Sequence, residues 1–168
     1  RLSGMNVSFC NAGPVLFGCA TYVPPLRKYV DKYGINLDFG HNLTKIDGAS
    51  KTAWFKVTKE GEEPQMIERK FDMIHVCPPQ CAPDFISKSP LANAGGWVDV
   101  DQETLQHTGF PNVFSLGDVA STPNAKTAAA ARKQAPIVAQ NVKAWMAGRD
   151  LKPIYDGQGS CPLTSETG

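Results

Sequence analysis

Charge of one sign is what this sequence most plainly lacks: 17 Lys and Arg stand against 16 Asp and Glu, a formal net charge of +1 over 168 residues. The cations are scattered, so there is no electrostatic footprint for nucleic acid. Long hydrophobic runs are missing as well. No stretch approaches the roughly 18 consecutive apolar residues of a membrane-spanning helix, and no signal peptide precedes the first expected strand. The chain is therefore expected to be soluble as it stands. Cysteines are few and odd in number, at positions 10, 19, 77, 81 and 161, which argues against a secreted disulfide framework. Cys77 and Cys81 enclose Pro78, Pro79 and Gln80, and with His75 they would still lack a fourth tetrahedral ligand, so no metal is assigned. Nor does Gly-x-Gly-x-x-Gly follow any strand-like segment. The phosphate-cradling half of a dinucleotide site would therefore lie upstream or never have existed. The sequence opens on Arg1 and runs out at Gly168 without an evident closing element, and it reads as a piece of something longer.

What is present is an α/β pattern, with 42% hydrophobic residues, enough for one ordinary core or two small ones. Residues 5–9 read as a buried strand, which disfavours glycosylation at the Asn6 sequon; a second sequon stands at Asn42. A helix begins at Pro24 or Pro25, where proline suits the first turn, and Leu26, Tyr29, Val30 and Tyr33 recur at helical spacing up to a terminating Gly34. Residues 35–39 alternate as a strand. Residues 43–46, 52–57 and 66–70 read as a meander with turns at Asp47-Gly48 and Glu60-Gly61. An apolar strand at 71–76, containing His75, halts at Pro78-Pro79. Short strands are expected at 97–100, extended by 103–106, and at 113–116. A helix over 125–146 follows, with Ile137, Val138, Val142 and Trp145 as its apolar stripe. Pro136 is expected to kink it near Arg132 or to split it, and Gly148 to end it.

The chemistry gathers at the end of the chain. In the string 111–120 an apolar strand ends at Gly117, whose missing side chain lets a bulky ligand approach the backbone. Asp118 follows at the carboxyl end of that strand, where a carboxylate can accept hydrogen bonds from a sugar-like chain. Lys126, Thr127 and Ala128 open the next helix, which aims free N–H groups at an electron-rich ring. A lysine at that end opposes the helix dipole, a placement that favours an anionic neighbour. Residues 155–162 form a glycine-rich turn presenting Cys161. Exposed thiols in such turns are either ordinary surface cysteines or redox groups.

Further motifs carry a family resemblance: His75-Val76-Cys77-Pro78-Pro79, Ala82-Pro83-Asp84-Phe85, Ser89-Pro90-Leu91-Ala92, 96–101, Thr104-Leu105-Gln106-His107, Gly117-Asp118, Lys126-Thr127-Ala128-Ala129-Ala130 and Tyr155-Asp156-Gly157 leading to Ser160-Cys161-Pro162-Leu163. With them residues 71–163 resemble the C-terminal half of a sulfide:quinone oxidoreductase, a flavoprotein of the two-dinucleotide-domain disulfide reductase superfamily. The resemblance implies an α/β fold, the second half of an FAD/NAD(P)-binding Rossmann-like flavoprotein. Residues 1–80 would end the pyridine-nucleotide-like domain, 81–150 the FAD-binding domain, and 151–168 would start the redox-cysteine and quinone-side region.

The same resemblance implies the site residues. Gly117 and Asp118 would hold the ribitol of FAD, and Lys126, Thr127 and Ala128 would lie by the pyrimidine edge of its ring. Cys161 would be one member of a redox pair, its partner cysteine lying upstream of Arg1. Sulfide, quinone and a sulfane-sulfur acceptor are the implied reactants. Membrane association, peripheral, would come through a C-terminal region beyond residue 168. The isolated piece is expected to be inactive and to bind FAD weakly if at all. The pair Pro78-Pro79, which lacks N–H groups that could meet a phosphate, fits the loss of a nicotinamide site. Three other readings stay open: the flavin subunit of a flavocytochrome c sulfide dehydrogenase, a type II NADH dehydrogenase, and a non-catalytic binding or assembly domain.

Overall fold

The computed structural model describes residues 4–152 and 154–163. They fall into two compact units, one ending at Cys77 and one beginning at Pro78.

The first unit opens with a parallel pair. Strand β1 (Ser8–Asn11) and strand β2 (Asn36–Phe39) run in register from Ser8 opposite Asn36 to Asn11 opposite Phe39, and helix α1 (Val23–Tyr33) makes the crossover between them. Proline in its first turn and Gly34 in the left-handed region (φ 59°) bound that helix as expected. A meander follows: β3 (His41–Asp47), β4 (Thr52–Val57) and β5 (Gln65–Lys70), antiparallel with β4 in the middle. Being central, β4 carries the buried cluster Ala53, Phe55 and Val57, on which Leu43, Ile67, Phe71 and Ile74 pack.

Three expectations change here. The first strand lies later than residues 5–9, and Asn6 is exposed rather than buried, its side-chain oxygen accepting from Asn36 Nδ2 at 2.7 Å. Residues 71–76 form no strand. No neighbouring ladder exists for them among the described residues, so Phe71 and Ile74 are accommodated by packing on β4 instead. His75 is accordingly not a strand residue; its Nε2 lies 3.7 Å from Cys77 Sγ. Among the described residues no three His, Cys, Asp or Glu are grouped to hold a metal.

A polar junction ties the parallel pair to the meander. Arg69 on β5 donates to Asp38 on β2 at 2.6 Å and lies 3.7 Å from Cys10 Sγ on β1. The guanidinium holds the Asp38 carboxyl below its ordinary value, and burial pushes the Cys10 thiol up. A carboxyl depressed by folding stabilises above its unfolded value near ~3.9, and that contribution is lost as pH falls through the folded value. Asp38→Asn is expected to lower the melting temperature at pH 7 and to converge on the parent as the pH approaches 3. Thermal melts across that range check it; a gap that persists undiminished in acid refutes it.

In the second unit the expected strands shrink to isolated bridges: Ala92–Val98, Val98–Ala120, Val100–His107 and Gln106–Phe114. The cause is local. Asp101 accepts from the backbone N–H of Glu103 and Thr104 and from the Thr104 hydroxyl, closing a tight turn that drives Leu105 to φ 60°. Extended pairing cannot run through such a residue. The core around it is Val98, Val100, Leu105, Ala120 and Tyr155, with Ile86 of the short helix α2 (Asp84–Ser87), Leu91, Ile137 and Val138 packed against it.

Helix α3 (Ala128–Met146) begins three residues later than expected and runs unbroken through Pro136. Pro136 is exposed, so its ring meets solvent, and the anchors on either side carry the helix across the missing hydrogen bond. Those anchors are not the predicted stripe alone. Ala130, Gln134 and Asn141 are the buried residues, whereas Trp145 is 40% exposed. Gly148 (φ 63°) follows the end of the helix, and Arg149 N–H returns to the Ala144 carbonyl.

Candidate functional site

The Gly117-Asp118 segment is a single 3-10 turn, Gly117–Val119, not the end of a ladder strand. Gly117 has φ 71°, which glycine permits; a Cβ there would rest in ordinary contact with Ala131 of α3 at 3.5 Å, so the backbone conformation rather than the spacing calls for glycine. Its N–H donates to Gln134 Oε1 at 2.7 Å. Asp118 is exposed and makes no hydrogen bond among the described residues. It is available to a ligand.

Lys126 turns inward. Its Nζ donates to the Ala120 carbonyl at 2.6 Å and sits 4.4 Å above the Trp97 ring. Desolvation lowers the pKa of Lys126, and the charge of Asp118 opposes that shift. The ammonium is thus held against protein groups beside the carboxylate. Thr127 is the N-cap of α3, its hydroxyl accepting from Ala130 N–H at 3.2 Å. A helix leaves its first-turn N–H groups without intrahelical partners, here those that begin at Ala128.

An open groove of about 580 Å³ lies along this helix start, lined by Ala128, Ala129, Arg132, Lys133, Gln158, Gly159 and Ser160. The last three lead directly into Cys161. They are held there by Tyr155, which is buried, donates its backbone N–H to Glu103 O at 2.8 Å and its hydroxyl to Gln158 O at 2.6 Å. Gly159 packs close to the α3 start, since a side chain there would lie 3.7 Å from the Ala125 carbonyl and from Asn124. Asn124 Oδ1 is buried with no hydrogen-bond partner among the described residues. It is an acceptor that a ligand N–H would satisfy.

The structure thus brings Ala128 and the approach to Cys161 to one groove, and Lys126 to Asp118. Gly117, Asp118, Thr127 and Cys161 are not themselves groove-lining residues; Cys161 is exposed, with Sγ 3.8 Å from the Pro162 carbonyl. Gln134 and Asn124 had no assigned part in the sequence, and Trp97 and Tyr155 stood there only as motif residues. For Gln134 the signal was its place four residues after Ala130 in an alanine-rich helix, on what proves to be the buried face.

The chain is 43% identical to the mitochondrial sulfide:quinone oxidoreductase of Dictyostelium discoideum over 162 residues, which cover 96% of the chain and 35% of the relative. It is 37% identical to the Mus musculus protein of the same name, covering 95% and 35%. The chain therefore spans about a third of the length of the relatives it matches. Among solved structures it resembles one chain in the cryo-EM structure of the Tetrahymena thermophila mitochondrial ATP synthase, an F1Fo composite tetramer. That match has a TM-score of 0.73 at 30% identity, covering 89% of this chain and 35% of the other. Thioredoxin reductase from T. acidophilum matches with a TM-score of 0.56 at 24% identity, over 84% and 45%, a likeness of fold. No family model matches.

Proposed function

From a chain that is a relative of the sulfide:quinone oxidoreductases over nearly all of its length, we propose that it is the C-terminal part of an FAD-dependent enzyme that oxidises sulfide and passes the electrons to quinone. The observation that carries the reading is the groove bounded on one side by the first turn of α3 and on the other by the segment entering Cys161. In this assignment residues 1–80 complete the pyridine-nucleotide-like domain, 81–150 the FAD-binding domain, and 151–168 begin the redox-cysteine region.

The residues present fit FAD. Asp118 offers a free acceptor for ribitol hydroxyls, Asn124 Oδ1 an unpaired acceptor for a ring N–H, and the α3 start unpaired donors for ring oxygens. When bound, FAD supplies a two-electron acceptor whose reduced form hands electrons to quinone. The protein's part is sulfur chemistry and positioning. Hydrosulfide would attack the partner cysteine's sulfur in the disulfide that joins it to Cys161; that S–S bond breaks, a persulfide forms on the partner, and Cys161 leaves as thiolate. The sulfane sulfur then passes to an acceptor. Donors at the α3 start, fixed before reaction, favour negative charge developing in the groove with little reorganisation.

The full-length protein is expected to purify yellow and to bleach anaerobically when sulfide is added. Bleaching by NADH alone would transfer it to the type II dehydrogenases. A second reading, an assembly domain without catalysis, is favoured by the ATP synthase chain it resembles; colourless protein that never takes up flavin would select it. Electron delivery to a haem protein, as in a flavocytochrome c sulfide dehydrogenase, would appear as FAD that stays covalently attached after denaturation. Membrane attachment is proposed to be peripheral and to come from outside these residues. Among the described residues no helix is long and apolar enough to cross a membrane.

A further inference from the structure

We infer that Gln134 is the positioning residue that aims Asp118, acting from inside α3, an inference that rests on the FAD reading above. Gln134 is fully buried, 0% exposed, on the core face of a helix whose neighbouring buried position is Ala130. A side-chain amide is costly in such a place unless its polar atoms are paired. Both are: Oε1 accepts from the Gly117 N–H at 2.7 Å, and Nε2 donates to Thr122 Oγ1 at 3.5 Å. One amide therefore ties the start of the turn that presents Asp118 to Thr122, which lies three residues beyond the end of that turn. Thr122 is itself buried.

The clasp matters because no hydrogen bond orients the carboxylate, which has only the non-directional charge of Lys126 beside it. Asp118 makes no hydrogen bond of its own among the described residues, so its direction is inherited from the backbone of the Gly117–Val119 turn. That turn is closed locally by one 3.3 Å bond, Ala120 N–H to the Gly117 carbonyl. A leucine at 134 would fill the volume but leave the Gly117 N–H without its partner. Packing alone would survive; the aim of the turn would not.

The test uses the full-length protein with Gln134→Leu and Gln134→Glu, FAD as the probe, and amide hydrogen exchange at Gly117 as a readout that needs no cofactor. Loss of a buried donor's partner costs enough to weaken FAD binding by about 10-fold or more in Gln134→Leu, with faster exchange at Gly117. A glutamate at 134 keeps an acceptor for the Gly117 N–H in either protonation state, so Gln134→Glu is expected to retain slow Gly117 exchange and to bind FAD more tightly than Gln134→Leu. Parent-like FAD affinity in Gln134→Leu with unchanged Gly117 exchange overturns the inference, as does Gly117 exchange in Gln134→Glu as fast as in Gln134→Leu. If the leucine variant fails to fold, Gly117 exchange in Gln134→Glu decides, parent-like protection supporting the inference and lost protection overturning it. A parent protein that takes up no FAD overturns the cofactor reading and this one together, an outcome distinct from loss confined to the variants.

Discussion

Cys161→Ser in the full-length protein is expected to leave the flavin bound and to lower sulfide-dependent bleaching on the order of 10³-fold or more. The two effects separate because Cys161 is exposed and lies outside the lining of the groove, with its sulfur engaged, among the described residues, by the neighbouring Pro162 carbonyl alone. Nothing in cofactor binding depends on that sulfur. Serine preserves the size of the side chain while removing both the S–S bond that hydrosulfide attacks and the thiolate that leaves. The protein should therefore purify as yellow as the parent and remain yellow under anaerobic sulfide. Stopped-flow absorbance gives the rate, and released FAD gives the occupancy. Serine at Cys77 or Cys81 is the control, expected to change neither, because neither thiol belongs to the proposed redox pair. Parent-like bleaching in Cys161→Ser would end the assignment of this residue to the redox pair.

How much of this was legible in the sequence depends on the range of the forces involved. Pro24, Pro25 and Gly34 announced helix α1, and the alternation in residues 52–57 announced β4, because backbone preference and side-chain period act locally. The strands at 97–100, 103–106 and 113–116 were misread. Val98, Val100 and Leu105 are buried, but the Asp101 side chain captures N–H groups that a ladder would have used. Residues 71–76 failed for a different reason: an apolar run becomes a strand only if a neighbour supplies the other half of its hydrogen bonds. The turn at Gly117 and the helix start near Thr127 were legible because turn and cap chemistry is sequence-local. Gln134 was not. A glutamine among alanines looks like solvated helix surface until a glycine 17 positions earlier is folded against it. Lys126 is fixed on Trp97 and the Ala120 carbonyl beside Asp118, partners that only tertiary structure reveals.

Leu105→Ala is expected to cost about 2–5 kcal/mol of stability, the range for deleting a fully buried leucine side chain. Leu105 is 0% exposed in the cluster with Val98, Val100, Ala120 and Tyr155. Its backbone makes the case unusual. At φ 60° a residue with a Cβ carries a conformational penalty of roughly 1–2 kcal/mol, which glycine does not. Alanine retains that penalty after losing the packing that offset it, whereas glycine is relieved of it and pays instead about 0.4–1 kcal/mol through a freer unfolded chain. Leu105→Gly should therefore be no less stable than Leu105→Ala, the reverse of the order found in a helix or strand. The same loop joins three parts of the second unit: Thr104 O accepts from Asn141 of α3, Glu103 O from Tyr155 N–H, and Leu105 O from Ser115 N–H just ahead of Gly117. Loosening it should faster expose the amides of residues 113–117 to exchange before global unfolding. Urea titrations of the three proteins with hydrogen exchange decide the matter. An alanine variant clearly more stable than the glycine one would show that the left-handed backbone at 105 carries no cost.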